Sequence, residues 1–185
     1  MLRCFPKNSS QTEYCHYHDT EWGVPVFDDR LLFEMLSLEG TQAGLSWEIV
    51  LKKRAAYKEA FFNFEPHLVA SMKPEIISEL MLCPTLIRNR RKLASILHNA
   101  PIFIAIQREY GSFANYLWGY TGGKPIVNHF KTLKEVPCFS PLSEHIAKDL
   151  KKRGMSFVGK KIIYSFLQAV GVVNDHLADC PFKRA

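Results

Sequence analysis

Four residues at the two ends of the chain have the composition of a metal site: Cys4 and His18 near the start, His176 and Cys180 near the end. Two thiolates and two imidazoles are the donor set of a tetrahedral Zn²⁺ site, and a set with no open position is structural rather than catalytic. His176 and Cys180 stand four residues apart, one helical turn, whereas Cys4 and His18 stand fourteen apart and match no finger pattern. By spacing alone, packing or surface roles for these residues are the plainer account. Cys15, Cys83 and Cys138 are scattered and suggest no partner.

A second concentration of chemistry lies in Glu39-Gly40-Thr41-Gln42-Ala43-Gly44-Leu45-Ser46-Trp47, which has a carboxylate at one end, an indole at the other and two glycines between. A carboxylate near a helix C-terminus is disfavoured by the helix dipole, so Glu39 points toward function rather than a solvent-facing helix end. Basic residues cluster at Lys52-Lys53-Arg54, Arg88 to Lys92, Lys151-Lys152-Arg153 and Lys160-Lys161. Residues 1–50 hold three Lys/Arg against eight Asp/Glu and residues 51–185 twenty-one against ten, so the net charge of +6 belongs to the later part and suits a polyanion such as nucleic acid. Gly159 precedes a helix start, where free backbone N–H groups favour an anion; an ordinary glycine junction is the alternative.

Together with Tyr17-His18-Asp19-Thr20-Glu21-Trp22-Gly23-Val24-Pro25, Gly171-Val172-Val173-Asn174-Asp175-His176, the Lys151–Gly159 hairpin and Tyr164-Ser165-Phe166, the Glu39–Trp47 block resembles the 3-methyladenine DNA glycosylase I family, constitutive bacterial enzymes of alkylation repair. The resemblance runs nearly end to end. It implies an all-α, helix-hairpin-helix DNA glycosylase fold whose terminal segments, 1–27 and 172–185, are joined by one structural Zn²⁺ held by Cys4, His18, His176 and Cys180. It further implies Tyr17 and Trp47 as stacking walls for an extruded base, Tyr14 and Trp22 as further pocket aromatics, and Glu39 as the base-recognising and catalytic carboxylate. The alternative for Trp22 is core packing.

On the same basis Gly44-Leu45-Ser46 resembles the DNA-probing loop, with Leu45 filling the gap left by the base, and Gly159 with Lys160 would clamp phosphate. One departure concerns Phe5 and Pro6: the family usually carries an aromatic two places after its first cysteine, and here Phe5 follows Cys4 directly. The implied reaction is hydrolysis of the glycosidic bond of 3-methyladenine in alkylated double-stranded DNA, releasing the free base without lyase activity. A noncatalytic helix-hairpin-helix DNA-binding module and a glycosylase for another alkylated base are the competing readings.

The elements that must position these residues are read as helices, since alternating apolar and polar runs are scarce. One helix is expected from the N-cap Asp28 to about Gly40, a second from Ser46 toward Phe61, short ones punctuated by Pro66 and Pro74, and another over Leu86–Leu97. Residues 121–142, with Gly122, Gly123, Pro125, Pro137 and Pro141, read as a loop. Beyond it a helix capped by Ser143 reaches Arg153, a turn covers Gly154–Gly159, and an apolar helix covers Ile162–Val172, making a hairpin around 143–171 within one domain spanning 1–185.

The 185 residues, 47% hydrophobic and 12% aromatic, suffice for one substantial core. Five cysteines and no signal-like start argue against a secreted disulfide scaffold and for reduced thiols in a cytosol, and the resemblance implies that this is a bacterial cytoplasm. No apolar run approaches a membrane span. A monomer is expected.

Overall fold

The computed structural model describes residues 3–4 and 12–184. Phe5 and Pro6, where the family resemblance departs, lie outside the described residues. The chain forms α1 (Thr12–Thr20), α2 (Asp29–Gln42), α3 (Trp47–Ala60), α4 (Pro66–Ala70), α5 (Ile76–Leu80), α6 (Arg90–Tyr110), α7 (Phe113–Gly119), α8 (Pro141–Lys152) and α9 (Lys160–Ala169). Two short strands, β1 (Ile126–Val127) and β2 (Val173–Asn174), pair in parallel with Ile126 opposite Val173 and Val127 opposite Asn174. The expected helical architecture is present, with this one pairing added to it: two residues per strand are too few to leave a period-two pattern in a sequence.

Helix α2 is the axis of the molecule. Every residue from Leu32 to Thr41 is buried, because α3, α6, α7 and α9 pack around it. A helix enclosed on all sides needs apolar residues all round, and Leu32, Phe33, Met35, Leu36 and Leu38 supply them. Asp28 caps its start by accepting from the Leu31 N–H at 2.8 Å. The next residue works for another helix: the Asp29 carboxylate accepts from the N–H groups of Phe113 and Ala114, both at 2.8 Å, and so neutralises the free donors at the start of α7.

Helix α2 runs two residues past the expected stop near Gly40, to Gln42. Gly40 serves packing: a Cβ there would stand 3.2 Å from the Cβ of Phe157, in the turn between α8 and α9. That turn therefore rests against α2 beside Glu39. The helix expected over Leu86–Leu97 starts later, capped by Asn89, and runs through Pro101 to Tyr110. Within 121–142, β1 interrupts the loop, and α8 is capped by Ser140 through a capping box with Ser143, rather than by Ser143 itself. The last helix starts and stops earlier than expected, at Lys160 and Ala169.

After α9 the chain must turn at Gly171, which has φ +72°. A Cβ at this position would lie 2.3 Å from the carbonyl carbon of Val24. The close approach joins the segment after α1 to the end of α9, where Gly23 N–H donates to the Gln168 carbonyl at 2.9 Å and Val26 N–H to that of Val170 at 3.0 Å. Gly171→Ala adds left-handed backbone strain to a backbone clash. It is expected to cost more than about 3 kcal/mol of stability, measurable by thermal or urea denaturation; a loss under about 1 kcal/mol would show that the junction relaxes freely.

Candidate base pocket and metal centre

Two carboxylates are buried on α2, and their surroundings differ. Glu34 is met by three cations: Arg54 at 2.6 Å, Lys58 at 3.3 Å and Arg30 at 3.5 Å. Glu39, in the last turn of the same helix, is 4% exposed and pairs with no cation among the described residues, and its Oε2 is buried without a hydrogen-bond partner. Loss of hydration alone raises its carboxyl to about 8. An uncompensated buried acid is costly. Each acid has one oxygen buried without a hydrogen-bond partner, but the charge of Glu34 is compensated by cations within the fold and that of Glu39 is not.

Glu39 faces a cavity of about 290 Å³ lined by Tyr14, Tyr17, Trp22, Gln42, Trp47, Leu133, Val136, Ser165 and Gln168. Ligand cavities usually begin near 300 Å³, so the space suits one ring system rather than a whole nucleotide. The Tyr17 and Trp47 rings meet with centroids 5.4 Å apart and planes 53° apart. Burial, and next the Glu39 charge, hold the Tyr17 phenol well above its ordinary range, so it stays protonated. Trp47 Nε1 is a second buried polar atom without a partner. Two residues of the cavity wall thus each carry a buried polar atom that the protein leaves unpartnered. A larger groove of about 810 Å³, lined by Glu13, His16, Glu21, Arg54 and Lys58 among others, lies against Tyr17 too; its Arg54 is already bound to Glu21 at 2.7 Å.

The five candidate pocket residues, Tyr14, Tyr17, Trp22, Glu39 and Trp47, all line the smaller cavity. Gln42, Leu133, Val136, Ser165 and Gln168 line it as well, although none is assigned to the pocket from the sequence. Ser165 and Gln168 had left a signal: they are three residues apart, hence on one face, in a stretch otherwise strongly apolar. Leu133 and Val136 arrive from the long loop, where no periodicity indicates which way a side chain faces.

The loop joining α2 to α3 sits between pocket residues Gln42 and Trp47. Gly44 has φ +80° and open space where a Cβ would be, while Leu45 is half-buried and Ser46 exposed. Two side chains brace the loop: Gln42 Nε2 donates to the Leu45 carbonyl at 3.3 Å, and the buried Lys92 ammonium donates to the Ala43 carbonyl at 2.6 Å. Gly159 is the N-cap of α9, again with open space at its Cα. Lys160 is partly engaged, its ammonium 3.5 Å from Glu144 and 3.6 Å from the Phe139 ring centre.

Several basic residues are absorbed by the fold. Arg153 binds Asp149 at 2.7 Å and Glu109 at 2.6 Å, Lys53 donates to the carbonyls of Pro84 and Thr85, and Arg54 serves Glu21 and Glu34. Only part of the later basic excess is therefore free for a polyanion.

The Cys/His residues of the two chain ends do come together. The ligand atoms of Cys4, His18, His176 and Cys180 lie within 4.8 Å of one another, and all four residues are buried. Cys4 Sγ is 3.5 Å and Cys180 Sγ 3.3 Å from His176 Nδ1, and Cys180 Sγ is 3.8 Å from His18 Nε2. Zn–S bonds of about 2.3 Å and Zn–N bonds of about 2.0–2.1 Å give tetrahedral edges of roughly 3.3–3.8 Å. The residues fit a metal ion of that kind.

The remaining imidazole nitrogens fix which atoms face the cluster. His18 Nδ1–H donates to Asp19 at 2.8 Å, and Asp19 is held in turn by Arg3; His176 Nε2–H donates to the Trp22 carbonyl at 2.9 Å. These are the outer partners of metal-ligating histidines. Burial pushes the His176 imidazole down to about 4 and the Cys4 thiol up to about 12, so the imidazole is already in its ligating form while the thiol would need a cation's charge to lose its proton. The cluster also touches the cavity, because Trp22 packs on His176 at 4.7 Å and on His18 at 5.9 Å.

This architecture is shared by solved DNA glycosylases. It matches the crystal structure of a 3-methyladenine DNA glycosylase I with a TM-score of 0.93 at 44% identity, covering 97% of this chain and 98% of that one. It also matches a tyrosine variant of such an enzyme in complex with 3-methyladenine, with a TM-score of 0.95 at 38% identity over 100% and 99% of the two chains. The DNA-3-methyladenine glycosylase of Haemophilus influenzae is 45% identical over 181 residues, 98% of this chain and 97% of that protein. DNA-3-methyladenine glycosylase 1 of Escherichia coli is 44% identical over 90% of this chain and 89% of its own. The chain belongs to the methyladenine glycosylase family, whose profile matches residues 7–184.

Burial of Glu39 predicts a pH signature. Its carboxyl titrates near 8 when folded and near 4.5 when unfolded, so the neutral form favours folding at low pH and that contribution is lost as pH rises through 8. Glu39→Gln is therefore expected to gain stability over the native protein as pH rises from about 5 to 9, by on the order of a few kcal/mol. Thermal melts across that range check this, and parallel curves would show that Glu39 keeps an ordinary pKa.

Proposed function

We propose that this chain is a DNA-3-methyladenine glycosylase that hydrolyses the N-glycosidic bond of 3-methyladenine in alkylated double-stranded DNA, releasing the base and leaving an abasic site. The observation that carries the proposal is the unpaired carboxylate of Glu39 in an aromatic-walled cavity of about 290 Å³. Family membership and relatives named for this activity support it.

The chemistry follows from the lesion. A base in the duplex is out of reach, so the nucleotide must be extruded. Leu45 on the braced 43–46 loop occupies the vacated stack, compensating lost stacking with apolar contact. Backbone donors at Gly159, with Lys160, hold phosphate, and α8, its turn and α9 act as the helix-hairpin-helix that docks on DNA. Methylation at N3 leaves the nucleotide's purine cationic. Entering the cavity that Tyr17 and Trp47 line, the cation meets electron-rich rings and lowers the Glu39 carboxyl toward its charged form.

Glu39 then accepts from the exocyclic amine. Attraction to the cationic ground state does not by itself speed bond breaking; the carboxylate contributes to rate insofar as it also stabilises positive charge developing on the sugar. Water attacks the sugar and the base leaves neutral. No lysine lines the cavity among the described residues, which supports hydrolysis without a Schiff base and hence without lyase activity.

Cys4, His18, His176 and Cys180 would hold one Zn²⁺, whose four positions they fill, so that when bound it supplies cross-linking and no water activation. His18 follows Tyr17 in sequence and Trp22 lies against both histidines, so the cluster fixes two walls of the pocket. Among the described residues no helix is long and apolar enough to cross a membrane. The protein acts as a monomer in the bacterial cytoplasm.

Incubation with methylated duplex DNA is expected to release free 3-methyladenine, detected by chromatography, and Glu39→Ala is expected to lower the rate at least about a hundredfold. Binding without release by the folded protein would favour the noncatalytic module, and release of a different base would reassign the lesion. Purified protein should contain one equivalent of zinc, lost in Cys180→Ser; undiminished zinc in that variant would refute the ligand set.

A further inference from the structure

Next to metal-site His176 stands a carboxylate with no part in that cluster. Asp175 is fully buried and, among the described residues, forms no ion pair. It is satisfied by three neutral donors: the Tyr164 hydroxyl at 2.6 Å and Gln168 Nε2 at 2.7 Å on Oδ2, and Asn128 Nδ2 at 2.7 Å on Oδ1. These donors come from α9 and from the loop after β1, so the arrangement is held from two sides. Gln168 is also a wall of the cavity that contains Glu39.

We propose that Asp175 is a positioning residue for base selection: by binding the Gln168 amide nitrogen it fixes the flip of the amide and so turns the Gln168 carbonyl oxygen toward the base cavity. The proposal rests on that cavity being the base pocket. Both Asp175 oxygens already accept, from the Tyr164 hydroxyl and the Asn128 amide, so the NH₂ end of the Gln168 amide turns to Asp175; the reversed amide would set oxygen against oxygen. The Gln168 backbone is held as well, its carbonyl accepting from Gly23 N–H at 2.9 Å. Gln168 Oε1 thus adds a second fixed acceptor to Glu39.

Two fixed acceptors distinguish purines by the group at position 6. Adenine carries an amine there, a donor, and guanine a carbonyl, an acceptor. A 3-methylated guanine entering the same site would bring a carbonyl toward oxygens that cannot reorient, leaving buried acceptors unpaired. Freed from Asp175, the Gln168 amide could turn its NH₂ inward and accept either base.

The test uses metal-loaded protein and one methylated duplex, from which release of 3-methyladenine and 3-methylguanine is measured together. Asp175→Asn, able to donate to Gln168 Oε1 and so release the amide, is expected to lower the ratio of the two rates about tenfold. Gln168→Met should lower it similarly, and the double variant no further, because the two residues act in series. An unchanged ratio in folded, zinc-containing Asp175→Asn, or additive losses in the double variant, overturns the proposal.

A second measurement needs no Asp175 variant. In the native protein the side-chain amide protons of Gln168, assigned by their loss in Gln168→Met, should exchange slowly with water. Rapid exchange of both protons overturns the lock. Failure of wild-type protein to release any methylated base would instead refute the base-pocket reading, whatever the exchange rates show.

Discussion

Holding a carboxylate in the middle of a protein without a counter-charge is the constraint on which the other features depend. Glu39 can stay in the last turn of α2 only because that helix is clamped all round, so the site inherits its rigidity from the most buried element of the fold. Glu34, five residues earlier on the same helix, shows the ordinary solution, with Arg54, Lys58 and Arg30 closing around it. The two acids differ in what surrounds them: one is compensated by the protein's own cations, and the other has none among the described residues.

The walls of the cavity depend on the chain ends. Tyr17 precedes His18, Trp22 lies on His18 and His176, and Asp175 precedes His176, so residues that shape the pocket alternate with residues of the Cys/His cluster. Outer hydrogen bonds extend the arrangement, with Asp19 and Arg3 on one imidazole and the Trp22 carbonyl on the other. The cluster cannot move as a unit without displacing aromatic surface in the cavity. Rigidity of this kind is what a site needs when it must hold a planar ring to within a fraction of an ångström.

Much of the site was legible because it is written in short blocks. Tyr17 to Trp22 and Glu39 to Trp47 each place chemically distinctive residues close together, and all five aromatic or acidic candidates line one cavity. Spacing did not reveal the Cys/His cluster, since its halves are separated by nearly the whole chain and only tertiary folding joins them. Helix ends were misread where a residue served packing rather than termination: Gly40 admits Phe157 inside α2, and Pro101 sits within α6. The basic runs overstated the polyanion surface because charge in a sequence does not show its partner, and Arg54 and Arg153 are spoken for by buried or neighbouring acids. Gln168 was overlooked for a related reason, as its importance lies in what Asp175 does to it.

The junction of the two termini has a consequence for how the protein is made. Cys4 and His176 are separated by 172 positions, and Gly171 must reach Val24 before the segment after α1 can settle. During synthesis, every helix from α1 to α8 has emerged while the first turn of the pocket still lacks the chain that will hold it. Contacts of such long sequence separation form late. A chain lacking its last dozen residues would have lost His176 and Cys180, and with them half of the cluster that packs against Trp22.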